Sequence, residues 1–276
     1  PATARPRWAW LQPTPLAANP FALGVASGDP APDGMVLWTR LLPSPGEPLS
    51  AQTVHWELAH DEGFQRIVQK GQATAAPERG HSVHVEVRGL EPGRWYHYRF
   101  MLGQATSATG RTCTAPALHA LPGRLRVAFA SCQRWEHGHY AAWRHVCSDQ
   151  PDLVLFLGDY IYEYATPKNT DGLARTHTLR YATTLADYRD RYALHKSDPA
   201  LQAAHAACPW AVTWDDHEVQ NDYAGGTNAQ ADAAAFLTQR AAAWQAFYEN
   251  MPLRATALAG AQFDRLQVHR RLPWGR

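Results

Sequence analysis

The chain has 276 residues, with 26 Lys and Arg against 25 Asp and Glu, a formal net charge of +1 at pH 7. That balance leaves no electrostatic footprint for nucleic acid or an anionic membrane, and no apolar run approaches the roughly 18 residues of a membrane span. Four cysteines, Cys113, Cys132, Cys147 and Cys208, with no C-x-x-C pair, exclude a zinc ribbon and are too sparse for a disulfide scaffold.

Residues 1–20 hold several prolines and no period, which reads as an irregular lead-in to a processed chain. From 21 to 114 the pattern is all-β. Apolar runs at 23–26, 35–38, 54–58, 67–68, 83–87 and 95–100 are separated by turn signals. These are Gly28-Asp29-Pro30, Pro32-Asp33-Gly34, Ser44-Pro45-Gly46, Asp61-Glu62-Gly63 and Glu91-Pro92-Gly93. Short strands at about ten-residue spacing predict a β-sandwich of about seven strands, of immunoglobulin or fibronectin type III kind. Its histidines, His55, His60, His81, His84 and His97, are scattered and expected to face solvent.

Residues 115–124, with two prolines and few charges, read as a linker. The pattern then changes. A strand at 125–130, a helix at 139–147 and a strand at 153–157 make a βαβ unit, hence a parallel sheet. A polar loop follows at 166–178. Helices are predicted at 185–194 and 199–207, the second with Asp198 as N-cap and Pro199 in its first turn. A strand at 210–214, an Ala-rich helix at 231–250 and a basic strand at 262–272 complete the chain. The fold class is thus α/β with an all-β domain in front.

Chemistry in open α/β sheets sits beyond the carboxyl ends of the strands. Three such ends carry reactive residues: Ser131-Cys132-Gln133; Gly158-Asp159 with Tyr162; and Asp215-Asp216-His217-Glu218 with Asn221-Asp222. One thiolate, several carboxylates, one phenolate and one imidazole suit a multi-metal site with a trivalent or redox-capable ion. The bland alternatives are a core thiol at Cys132, an N-cap at Asp159 and a core tyrosine at Tyr162. Tyr160 and Tyr164 read as packing or pocket walls, and Glu218 as a salt-bridge partner of a helix. Arg134, Trp135 and His137 fit a phosphate-facing loop as well as a solvated one. Arg189 and Arg191 read as a charged helix face.

Gly158-Asp159-Tyr160-Ile161-Tyr162 resembles the G-D-x-x-Y signature of metallophosphoesterases, and Trp214-Asp215-Asp216-His217-Glu218 resembles their G-N-H-[DE] block. Together with the runs at 21–30 and 36–40, these residues are similar to the PhoD-like alkaline phosphatase and phosphodiesterase family. The resemblance implies an immunoglobulin-like domain at 21–114. It also implies the N-terminal part of an α/β/β/α metallophosphoesterase domain at 125–276, with later ligands supplied beyond residue 276.

It further implies Fe³⁺ and Ca²⁺, other divalent metals being possible, and a small phosphate mono- or diester as substrate. Cys132 and Tyr162 would serve iron, with Asp159 as the bridge. Asp215 or Asp216, and Asn221 or Asp222, would serve further ions. His217 would assist the leaving oxygen. Attack by a metal-bound hydroxide is the implied mechanism, and an extracytoplasmic location is implied for the family. With about half of a ligand set, this chain alone is expected to bind metal weakly and turn over little substrate. The alternative is a non-catalytic binding module that retains the fold.

Overall fold

The structure is a computed structural model that describes residues 19–43, 50–228, 232–258 and 262–276. Most of the lead-in, the Ser44-Pro45-Gly46 turn and the first residue expected in the 231–250 helix lie outside the described residues. The first part of the chain forms β1 (Val25–Ala31), β2 (Gly34–Arg40), β3 (Gln52–Ala59), β4 (Ile67–Ala75), β5 (Ser82–Val87), β6 (Trp95–Leu102), β7 (Ala105–Thr106) and β8 (Gly110–Cys113). The second forms β9 (Val127–Ala130), α1 (Ala142–Ser148), β10 (Leu153–Leu157), α2 (Leu185–Lys196), α3 (Pro199–Ala207), β11 (Trp210–Thr213) and α4 (Ala233–Asn250).

Among the described residues two sheets form. One is antiparallel, in the order β4-β3-β6-β7, with β8 also paired to β6. The other has six strands in the order β5-β2-β1-β11-β10-β9. It crosses from the first part of the chain into the second, because β1 pairs in parallel with β11 at Gly28 and Trp210. Gly28 is needed there: a Cβ would stand 2.5 Å from the Pro252 carbonyl oxygen and 2.7 Å from that of Trp210. The β9, β10 and β11 strands are parallel, as the βαβ pattern predicts.

Alternation sets the cores. Val25, Met35, Leu37, Val83, Tyr98 and Phe100 are fully or almost fully buried between the two sheets of the first part. Val154, Phe156, Trp210 and Val212 point the other way from Leu155 and pack beneath the helices with Tyr188, Tyr192 and Phe247. The opposite face of β9 and β10 is open: Val127, Phe129 and Leu157 are 38%, 75% and 50% exposed. Helix starts follow local chemistry. Thr184 and Asp187 form a capping box at α2, and Asp198 caps α3 ahead of Pro199.

Several expectations are corrected. Gly28-Asp29-Pro30 is no turn; β1 runs through it as a bulge, with Asp29 at φ 47° and its carboxylate held by Arg270. Residues 262–272 do not form a strand. They hold a short 3₁₀ turn at Phe263–Arg265 and one bridge between Leu258 and Leu266. Arg270 anchors this stretch by its side chain, to Asp29 and to the Val212 carbonyl, in place of a ladder. His84 does not face solvent; its Nε2 lies 2.9 and 3.0 Å from the Met251 and Tyr248 carbonyls. His81 is buried too.

Arg189 and Arg191 are not a solvated face. Arg189 grips buried Glu249 through two 2.7 Å bonds and also reaches the Glu78 carbonyl. Arg191 is buried, with its Nη groups on the carbonyls of Tyr164 and Arg180. Trp38 Nε1 donates to the Glu249 carbonyl at 2.9 Å, and Arg40 reaches Gly80, Arg189 and Asn250. The shared sheet and these bonds tie the two parts of the chain along one seam.

Candidate metal centre

Three strand ends converge. β9 runs into Cys132, β10 into Asp159 and β11 into Asp215 and Asp216. Cys132 N donates to the Gly158 carbonyl and Gln133 N to the Asp159 carbonyl, both at 3.1 Å, so the first two loops are bonded backbone to backbone. Cys132 and Asp159 both sit at positive φ, 58° and 57°. Non-glycine residues avoid that region, and paired exceptions at adjoining strand ends are the kind of strain that functional sites retain. Gly158, at φ 108°, lets the third loop approach: a Cβ there would fall 2.5 Å from Asp215 Cβ.

Glu218 fastens the same loops from below. Fully buried, it accepts hydrogen bonds from the backbone N–H groups of Asp159 (3.1 Å), Tyr160 (2.5 Å) and Asp215 (2.8 Å). Burial pushes its pKa up to about 8, against the pull of the three amides. It is a clamp of backbone amides, not the helix salt bridge expected from sequence.

Donor atoms of Asp159, Asp216 and His217 lie within 4.8 Å of one another. Cys132 Sγ and Tyr162 Oη join through Asp159, donating to its Oδ2 over 3.4 and 3.0 Å. Asp159 Oδ1 is buried and has no hydrogen-bond partner among the described residues. An unpaired buried carboxylate oxygen is costly, and a cation is the partner that this donor set suits. Asp215 is held above the usual carboxylate range by burial and then by the charges of Asp159 and Asp216, so the acidic groups crowd one another. Burial, with Asp159 beside it, also drives the Tyr162 hydroxyl far towards its neutral form. Only a nearby positive charge would reverse that.

His217 lies between Tyr162 and Tyr164, with ring centroids 4.3 and 5.3 Å away. Its Nδ1 is 2.8 Å from Glu163 Oε2. Burial would lower its basicity, but the Glu163 bond and the charges of Glu163, Asp159 and Asp216 outweigh this and leave it raised. Asn221 and Asp222 are less central. Asn221 Nδ2 donates to Asp222 Oδ2 at 2.7 Å, and both are exposed. They reach the centre through backbone: Asp222 N donates to Asp216 Oδ2, and Asn221 N to Glu163 Oε1. Glu163 escaped the sequence reading. A lone acid inside the aromatic stretch Tyr160-Ile161-Tyr162-Glu163-Tyr164 was the only signal for it.

Residues 127–276 match the model of the PhoD-like phosphatase family, and residues 7–116 match the model of the N-terminal domain of PhoD-like phosphatases. The chain belongs to the PhoD-like phosphatase family. It is 49% identical over 267 residues to alkaline phosphatase D of Bacillus subtilis (strain 168), covering 94% of this chain and 46% of that protein. It is also similar to a solved structure of PhoD, with a TM-score of 0.87 and 49% identity, covering 92% of this chain and 50% of that one. The chain therefore spans about half the length of the PhoD-like relatives it matches. Among the described residues no helix is long and apolar enough to cross a membrane, and the four cysteines are free.

Proposed function

We propose that this chain carries the first part of the metal centre of a phosphoric ester hydrolase that acts on small phosphate mono- and diesters. The observation that supports this best is the buried, unpartnered Oδ1 of Asp159 at the meeting of three strand ends, beside Asp216 and His217. In this reading Asp159 would be shared between two cations. Cys132 and Tyr162 would hold Fe³⁺, and Asp215 or Asp216, with Asn221 or Asp222, would serve Ca²⁺ or another divalent ion. Bound cations supply Lewis acidity, which generates a nucleophile from water and neutralises phosphoryl charge.

The chain's own groups do the rest. Glu163 fixes the ring of His217 through Nδ1, so Nε2 is left to give a proton or hydrogen bond to the departing oxygen. Glu218 and Gly158 keep the loops at a fixed separation.

The finer architecture belongs to the same proposal. Residues 21–114 are read as an immunoglobulin-like sandwich, 115–124 as its linker, and 125–276 as part of a four-layer α/β/β/α domain. The exposed Val127, Phe129 and Leu157 lie on the side where a second sheet would pack. The location is extracytoplasmic.

Phosphate release from chromogenic mono- and diesters, with Fe³⁺ and Ca²⁺ added, tests the reading in a protein that carries residues 1–276. Cation-dependent turnover lost in Asp159→Asn supports it. Turnover that persists in that variant contradicts it.

A further inference from the structure

We infer that Arg134 is a substrate-binding residue that grips a phosphoryl oxygen beside the metal centre; this rests on the phosphoester reading above. Arg134 stands two residues after Cys132, on the loop bonded to Gly158 and Asp159 by backbone. That loop is rigid. Gln133 donates from Nε2 to the Tyr160 carbonyl at 3.2 Å and accepts from Trp143 Nε1 at 3.1 Å, and its own carbonyl accepts from Tyr140 Oη at 2.6 Å. Arg134 is thus held in a fixed relation to Asp159.

Its guanidinium is anchored along one edge only. Nε donates to Glu136 Oε2 at 3.3 Å, and Glu136, almost fully buried, also lies 3.3 Å from His177 Nε2. Nη1 and Nη2 have no protein acceptor among the described residues, and the side chain keeps 22% of its surface exposed. Neighbouring arginines are spent on structure. Arg175 gives Nε to Trp135 and Nη1 to Asp198, and Arg191 gives both Nη groups to carbonyls. Arg134 alone of the three keeps its forked end unused.

That end sits by the centre. Arg134 Cζ is 5.3 Å from the Tyr164 ring centroid and 5.9 Å from that of Tyr162. These are the same two rings that border His217. A planar fork of N–H donors matches two oxygens of a phosphate and adds charge where cations do not reach. Glu136 holds the fork in place in advance, so little side-chain freedom is lost when an anion binds.

The test is a calorimetric titration of inorganic phosphate into the 276-residue chain loaded with Fe³⁺ and Ca²⁺. Arg134→Gln is expected to weaken phosphate binding by about 10- to 100-fold, the usual size for a charge-assisted bond. Arg134→Lys is expected to recover part of the loss, and Glu136→Gln, which leaves the Arg134 charge in place but loosens its anchor, to lie between. Arg66→Gln, on the distant sandwich and 68% exposed, is expected to leave binding unchanged. Equal affinity in Arg134→Gln and the unaltered chain overturns the assignment alone. No phosphate binding by the unaltered chain, with both cations bound, overturns the assignment and the phosphoester reading together.

Discussion

Glu163 Oε2 lies 2.8 Å from His217 Nδ1, and Glu163 has no exposed surface. Its other oxygen accepts from Asn221 N at 2.9 Å and from Tyr181 Oη at 3.3 Å. One carboxylate therefore sets the tautomer and tilt of the imidazole and ties down the loop that follows it. Glu163→Gln is expected to lower turnover of a metal-loaded protein that carries residues 1–276 by about 10- to 100-fold. Nitrogen NMR of the His217 ring should report loss of the Nδ1–H tautomer, and Glu163→Asp should restore part of both.

Glu218 is expected to matter for stability before it matters for chemistry. Glu218→Ala leaves the N–H groups of Asp159, Tyr160 and Asp215 without their acceptor, the first two of them buried. Each unpaired buried amide costs about 1–3 kcal/mol. Urea unfolding should show a loss of at least about 3 kcal/mol in total. A loss well below 1 kcal/mol would contradict the clamp.

Two buried bases at the seam give a pH signature. Burial pushes His84 down to about 4 from an ordinary 6.5, and burial followed by the Arg40 charge pushes Lys196 down to about 7 from 10.5. Between the folded and unfolded values the unfolded chain binds more protons, so stability rises with pH. His84 thus costs stability as pH falls from about 6.5 towards 4, and Lys196 as pH falls from 10.5 towards 7. Lys196→Met is expected to flatten the upper slope and to add about 1–3 kcal/mol at neutral pH. Unfolding midpoints across the two windows check both.

Arg189→Ala is expected to loosen the seam. It leaves Glu249, fully buried, without its guanidinium. Removing one partner of a buried pair costs about 3–5 kcal/mol. Denaturant unfolding measures this. Arg189→Lys should recover only part, since one ammonium cannot make the paired bonds of the fork.

Much of this was legible in the chain itself. Strand ends at Cys132, Asp159 and Asp215 follow from short apolar runs closed by polar residues; local pattern placed α2, and pattern with the Asp198 cap and Pro199 placed α3. What escaped was set by partners distant in sequence. Asp29 looks like a turn residue until Arg270, 241 positions on, holds it in a bulge. His84 reads as a surface position on an alternating strand until Tyr248 and Met251 close over it. Glu163 and Glu218 differ from surface acids in their burial and in what they accept, and local pattern carries no trace of either. The single sheet joining both parts of the chain rests on Gly28 against Trp210, a pairing that no local signal announces.

The most direct test is equilibrium dialysis of the 276-residue chain and of Asp159→Asn against Fe³⁺ and Ca²⁺, followed by metal analysis and a visible spectrum. The unaltered chain is expected to retain cations, with the visible absorption of a tyrosinate–iron pair that Tyr162→Phe removes, and Asp159→Asn to retain none. Equal metal content in the folded chain and the folded Asp159→Asn variant would contradict this expectation.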